Sequence, residues 1–192
     1  MAASELIILR KQPYKESSLI VSGLSGEFGR LDFIAKGAGK ISKKKFPTID
    51  LFRIVSIDFN PDKDTLQSIY KAEIVENFDA IAESPASFRD ACSIASFVLK
   101  NTKTHMHCDF LFKSVRTALS RLCAAPGKFP CLALVKLAYL SENGLLPESD
   151  KKMDNLLAAA SGDSDNTGLK DEEGTNKISQ WLDNLCVYHG IN

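Results

Sequence analysis

The chain of 192 residues lacks most of what would mark it as an enzyme, a metalloprotein or a membrane protein. Its five cysteines, Cys92, Cys108, Cys123, Cys131 and Cys186, include no C-x-x-C pair, and most fall at apolar positions of helical patterns. An odd count without a signal peptide predicts buried free thiols in a reducing cytoplasm rather than a disulfide framework. No apolar run is long enough to cross a bilayer, so a soluble protein without membrane contact is expected. Histidine occurs three times, and His105 and His107 lie beside Cys108. That local cluster has no second ligand pair and falls short of a zinc signature. Nothing resembles G-x-S-x-G, H-E-x-x-H or a glycine-rich dinucleotide turn. The run Gly37-Ala38-Gly39-Lys40-Ile41-Ser42 fails as a phosphate-binding P-loop, because Ile41 separates lysine from serine and Pro47 interrupts any helix that follows. No catalytic residue, metal ligand or cofactor is therefore expected.

Net charge is also absent, with 24 basic and 24 acidic residues, but the balance hides an asymmetry. Ten basic residues lie between Arg10 and Arg53: these two with Lys11, Lys15, Arg30, Lys36, Lys40, Lys43, Lys44 and Lys45. Only Glu16, Glu27, Asp32 and Asp50 oppose them, a local excess of six. Compensating acids fall later, at Asp58, Asp62 and Asp64 and again around residues 163–173. Such polarisation suits steering of a polyanion to one face. The sharpest piece is the Gly-Lys segment 36–45, where each lysine can neutralise one phosphate and the glycines let backbone approach closely. The competing reading is a solvated loop whose lysines only aid solubility. Tyr14, Phe28, Phe33, Phe46 and Phe52 are interleaved with these cations. Phe33 and Phe52 sit inside alternating strands and are expected in the core, whereas Tyr14 and Phe46 fall in turns and could stack on unpaired bases.

Periodicity divides the chain. Residues 6–10, 18–22, 30–35, 51–59 and 66–75 alternate or run apolar between turn residues, with Gln12-Pro13 stopping the first segment. Five short strands within about 75 residues match a partly open Greek-key barrel of the OB type. Beyond residue 77 the period becomes helical. Ser84-Pro85 reads as cap and first helical position, and helices are expected over 86–100, 109–125, 129–143, 150–160 and 175–188. The expected fold is thus α+β in two domains: an OB-fold barrel over 1–78 that binds nucleic acid, then a helical domain over 79–192. Lys113, Arg116, Arg121, Lys128 and Lys136 are expected on solvated helix faces, and Trp181 in the helical core.

In order and spacing, these residues resemble the bacterial RecO family of recombination mediators. The resemblance is carried by Leu9-Arg10 followed by Pro13-Tyr14-Lys15-Glu16-Ser17-Ser18-Leu19, then Glu27-Phe28-Gly29-Arg30-Leu31, Ala35-Lys36-Gly37-Ala38 and Ala72-Glu73-Ile74-Val75-Glu76. It is dense over residues 4–80 and looser beyond, where Leu132-Ala133-Leu134-Val135-Lys136-Leu137 and Asn143-Gly144-Leu145-Leu146-Pro147 are similar to a family segment. Many members carry a four-cysteine zinc module after that proline; residues 148–174 here hold no cysteine. The resemblance implies a non-enzymatic protein of DNA repair and recombination. It would bind single- and double-stranded DNA, anneal strands, and work with RecR to help RecA replace single-strand-binding protein. Arg10, Lys11, Lys15, Arg30, Lys36, Lys40, Lys43, Lys44, Lys45 and Arg53 would hold phosphates, with Tyr14 and Phe46 stacking. Two rivals stand beside it: an OB-fold adaptor binding proteins without touching DNA, and an enzyme using His105, His107 and Cys108.

Overall fold

The computed structural model describes residues 2–36, 49–60, 66–69, 71–147, 151–167 and 172–191. They form two compact units, one of Met1–Asp79 with Thr102–His107, the other of Ala80–Asn101 with Cys108–Asn192.

The first unit is a curled sheet of β1 (Ala2–Tyr14), β2 (Ser18–Ser25), β3 (Gly29–Ala35), β4 (Arg53–Phe59), β5 (Gln67–Ile69) and β6 (Ala72–Asn77), in the order β5-β3-β2-β1-β4-β6. The fifth segment read from the sequence is two strands. β5 pairs parallel with β3, and β6 antiparallel with β4. Only residues 70 and 71 separate them in the chain, although the two strands stand at opposite ends of the strand order. This is how an OB-type barrel closes. The Gln67 carboxamide ties β5 to the end of β4, accepting from Asn60 N–H at 3.0 Å and donating to Asn60 C=O at 2.6 Å. Inside lie Leu6, Ile8, Val21, Leu31, Phe33, Ile49, Val55, Ile57, Phe59 and Ile69. The Phe59 ring meets Phe28 and Phe33 edge-on at centroid distances of 5.0 and 5.5 Å.

Strand β1 runs through Pro13 instead of stopping there. β4 pairs with β1 only over Ala2–Ile7, so among the described residues Pro13 has a ladder on one side alone and its missing N–H costs no bond. Strand β4 begins two residues later than its sequence suggests. Phe52 adopts φ +59°, its N–H donating to Ile8 C=O and its C=O accepting from Phe78 N–H. Its ring is buried as expected.

Two glycines are required by close approach. A Cβ on Gly23 would lie 2.4 Å from Ile7 O, and one on Gly29, whose φ is +70°, would lie 2.3 Å from Lys103 O and 2.7 Å from Met106 O. At Gly29 the segment Thr102–His107 lies along β3 as a short strap. Arg30 N–H donates to Lys103 C=O at 3.1 Å and His105 N–H to Phe28 C=O at 2.9 Å.

The second unit holds α1 (Pro85–Asn101), α2 (Asp109–Ala124), α3 (Cys131–Glu142), α4 (Lys151–Ser161) and α5 (Glu172–Tyr188). Ser84 caps α1 through its hydroxyl to Ser87 N–H, with Pro85 at the first position. Eight of the twelve residues of α3 are buried, as suits a helix apolar all round at a domain centre. It ends in a glycine cap, where Gly144 has φ +66° and Leu145 N–H returns to Leu140 C=O. The Glu142 carboxylate accepts from Phe110 and Leu111 N–H at 2.8 and 3.2 Å, capping α2 from another helix.

Two side-chain expectations change here. Arg121 is buried rather than solvated. Its guanidinium donates to Ala159 C=O at 2.6 Å, Ser164 C=O at 2.9 Å and Asp165 at 3.0 Å, and stacks 4.4 Å from the Phe129 ring centroid. Trp181 is only half-buried, because α5 turns Leu182 and Cys186 inward. Among the described residues no helix is long and apolar enough to cross a membrane.

Gly29→Ala forces a left-handed alanine against two carbonyl oxygens, and should lower unfolding free energy by about 1–3 kcal/mol. Gly23→Ala should cost a similar amount through its clash alone. Urea denaturation measures both, and midpoints equal to wild type would refute the close approaches.

Candidate nucleic-acid interface

Seven of the twelve sequence-selected residues are described: Arg10, Lys11, Tyr14, Lys15, Arg30, Lys36 and Arg53. Lys40, Lys43, Lys44, Lys45 and Phe46 lie outside the described residues.

Register decides which faces the seven occupy. β1 and β2 pair Ile7 with Leu24 and Ile8 with Gly23, then Arg10 with Ser22, leaving Leu9 as a one-residue bulge. Val21 points into the barrel, so its neighbour Lys11 belongs to the inner face, while Arg10, Gln12 and Tyr14 belong to the outer face with Ser22, Asp32 and Arg30. Arg10 donates to the Ser22 hydroxyl at 3.1 Å, that hydroxyl donates to Asp32, and Asp32 accepts from Arg30 at 3.2 Å. One carboxylate thus holds Arg30 directly and Arg10 through the Ser22 hydroxyl, across three strands.

Lys11 and Arg53 have other duties. Lys11 pairs with Asp50, whose carboxylate also accepts Leu51 N–H at 2.7 Å, beside the buried Ile49. Together they fix the point where the chain returns from residues 37–48. Arg53 grips Asp79 with two hydrogen bonds of 2.9 and 2.7 Å. Burial raises the Asp50 carboxyl, but the Lys11 and Leu51 hydrogen bonds with the charges of Lys11 and Arg53 outweigh it and hold Asp50 below the ordinary 3.8. The Arg53 hydrogen bonds do the same for Asp79 against a smaller opposing effect of burial.

The remaining cations gather at one end of the sheet. Lys15 takes the left-handed position, φ 53°, of the three-residue turn joining β1 and β2, and its ammonium sits 5.2 Å from the Tyr14 ring centroid. The register pairs Tyr14 with Ser18 and Leu19 with Ala35, so Lys36 follows β3 at this same end. Lys15 and Lys36 are exposed, and neither meets a carboxylate among the described residues. The chain enters the lysine-bearing residues 37–48 directly from Lys36.

His105 and His107 belong to the strap, and among the described residues no group of His, Cys, Asp or Glu has the arrangement of a metal site. Burial pushes the Cys131 thiol up to about 11 and raises Cys92 and Cys186 as well. Raised thiols are protonated and poor nucleophiles at neutral pH. Sequence reading missed the strap's contribution to the sheet unit. Its only signal was Gly29, which a hairpin turn already explained.

Asp50 and Asp79 titrate lower in the folded than in the unfolded chain. Their stabilisation is complete above the ordinary value of 3.8 and disappears as pH falls through the lower folded values. The wild-type urea midpoint should therefore fall on going from about pH 5 to about pH 2, and fall less in Asp79→Asn. Equal acid sensitivity in the two proteins would show that the Arg53–Asp79 pair is not coupled to folding.

Comparison with known proteins agrees with this architecture. Residues 1–78 match the family model described as Recombination protein O N terminal. A protein named DNA repair protein RecO from Heliobacterium modesticaldum is 30% identical over 146 residues, covering 76% of this chain and 52% of that protein. Proteins of the same name from Aliivibrio salmonicida and Thermodesulfovibrio yellowstonii are 28% and 29% identical, covering 71% and 51% of this chain and 56% and 39% of their own lengths. The matches thus span about half the length of these curated relatives. The sheet unit matches the N-terminal domain of the RecO family, and similarity to proteins named RecO extends into the helices.

Proposed function

We propose that this chain acts in DNA repair and recombination as a non-enzymatic DNA-binding protein. It holds single and double strands by their phosphates and promotes annealing. It works in the cytoplasm with RecR and single-strand-binding protein to assist RecA loading. The observation that carries this reading is the grouping of Tyr14, Lys15 and Lys36 at one end of β1, β2 and β3, where the chain enters Lys40, Lys43, Lys44 and Lys45. OB barrels bind oligonucleotides on the face of their second and third strands and on the neighbouring loops. Lysines there release counterions from DNA without reading sequence, and screening the repulsion between two strands needs no hydrolysis. The relatives named DNA repair protein RecO supply the biological setting.

A second reading has an observation behind it. Lys11, Arg30 and Arg53 are each paired with an aspartate, which lowers the charge available to a polyanion. An OB-fold adaptor that binds a protein instead of DNA would accommodate that.

Salt titration of a labelled oligonucleotide separates the two. Lys43, Lys44 and Lys45 changed together to alanine should weaken binding to all sequences alike and reduce the salt slope by about two to three. Lys15→Gly removes a cation while suiting the left-handed turn, so it should weaken binding by roughly one phosphate contact without lowering the urea midpoint. Unchanged low-salt affinity in the triple variant would favour the adaptor.

A further inference from the structure

The strap Thr102–His107 comes from the connection between α1 and α2, yet it packs with the sheet unit. The antiparallel bridge between Gly29 and Thr104 places Lys103 opposite Arg30. Alternation puts Arg30 on the outer face of β3, with Asp32 and Arg10. Across four neighbouring segments this face presents Arg10, Arg30 and Lys103, with Asp32 beside the two arginines and Glu5 farther along β1. Lys103 is exposed, and no acidic side chain meets it among the described residues.

Asp32 already answers Arg30, so the charge left over on this face is that of Lys103, directly across from the guanidinium. Like charges directly opposite one another on paired strands are destabilising, and a solvated lysine could point anywhere else. The strap is also held in one place. Thr102 is buried, two backbone hydrogen bonds fix the chain to Phe28 and Arg30, Gly29 has no room for a side chain, and His105 adopts φ +60°.

We propose that Lys103 and Arg30 form a second phosphate-binding position, at the end of β3 opposite to Lys36, so that a nucleic-acid backbone runs along β3 between them. This rests on the DNA-binding reading above and extends it by a residue from outside the barrel sequence. Arg30 and Lys36 are six residues apart, roughly 20 Å of extended strand. That length matches about six phosphates of one strand of a duplex. The two ends of β3 would then define the extent and direction of the bound strand. The ligand is a phosphodiester chain; an acidic peptide is the competing polyanion.

The test uses the full chain, a fluorescent oligothymidine and a salt titration. Lys103→Glu and Lys103→Gln are compared with Lys113→Glu, an exposed lysine on α2. Lys103→Glu should raise Kd about three- to tenfold near physiological salt and lower the salt slope by about one, while Lys113→Glu changes neither. Only the backbone carbonyl of Lys103 bonds to the sheet, so Lys103→Gln should unfold at the same urea concentration as wild type or a higher one. A lower midpoint would assign the residue to folding and overturn the proposal. Wild-type affinity and slope in Lys103→Glu, with the triple variant of Lys43, Lys44 and Lys45 still weakened, would overturn the second position and leave the DNA-binding reading standing. A wild-type chain that ignores the oligonucleotide at low salt would remove both. A Lys103→Glu defect confined to a polyglutamate probe would transfer the site to a protein ligand.

Discussion

Leu6, Ile7, Ile8 and Leu9 are all buried, and a strand of strict alternation would then turn Arg10 into the barrel. The bulge at Leu9 resolves the conflict. It takes up one residue without a partner, reverses the phase of β1, and delivers Arg10, Gln12 and Tyr14 to the outer face. An unpaired guanidinium inside a barrel would carry a desolvation cost of several kcal/mol or more. On the outside it instead joins Ser22, Asp32 and Arg30. The outward placement of Arg10, Gln12 and Tyr14 and the inward placement of Lys11 depend on this one slip of phase.

The local excess of basic residues divides into two kinds. Lys11, Arg53 and in part Arg30 act within the fold, neutralised by Asp50, Asp79 and Asp32, and they hold the chain beside Ile49, the exit from β6 and the outer face of β3. Lys15, Lys36 and Lys103 have no such duty among the described residues. A count of charges along the chain gives both kinds equal weight, but only the second can exchange solvent ions for phosphates without first breaking an internal pair. Exposed ion pairs are individually weak, so the paired cations are not lost to a polyanion; their recruitment costs more than that of the unpaired ones.

Strand and helix periods and the serine-proline start of α1 were legible in the sequence because each is a local effect. The division of the last strand was not, since it depends on β3 and β4 competing for two halves of one segment. Nor was the burial of Arg121, whose acceptors lie about forty residues away and emerge only when α4 packs against α2. The candidate site was legible as composition and not as geometry. Lysine and arginine could be counted, but the aspartate that answers each one, Asp50 for Lys11 or Asp79 for Arg53, is set by tertiary approach. The resemblance covering residues 4–80 captured the barrel and stopped short of the strap that completes its edge.

The backbone passes between the two units three times, after Asp79, after Asn101 and after His107. A fragment cut at residue 78, where the family match ends, would keep every strand of the sheet and still be unfinished. The Phe28 carbonyl would lose its donor and the Arg30 amide its acceptor, and nothing would fill the space beside Gly29 that now excludes a side chain. The barrel is therefore modular in sequence but not in its chain path, and any dissection of the molecule has to carry residues 102–107 along with it.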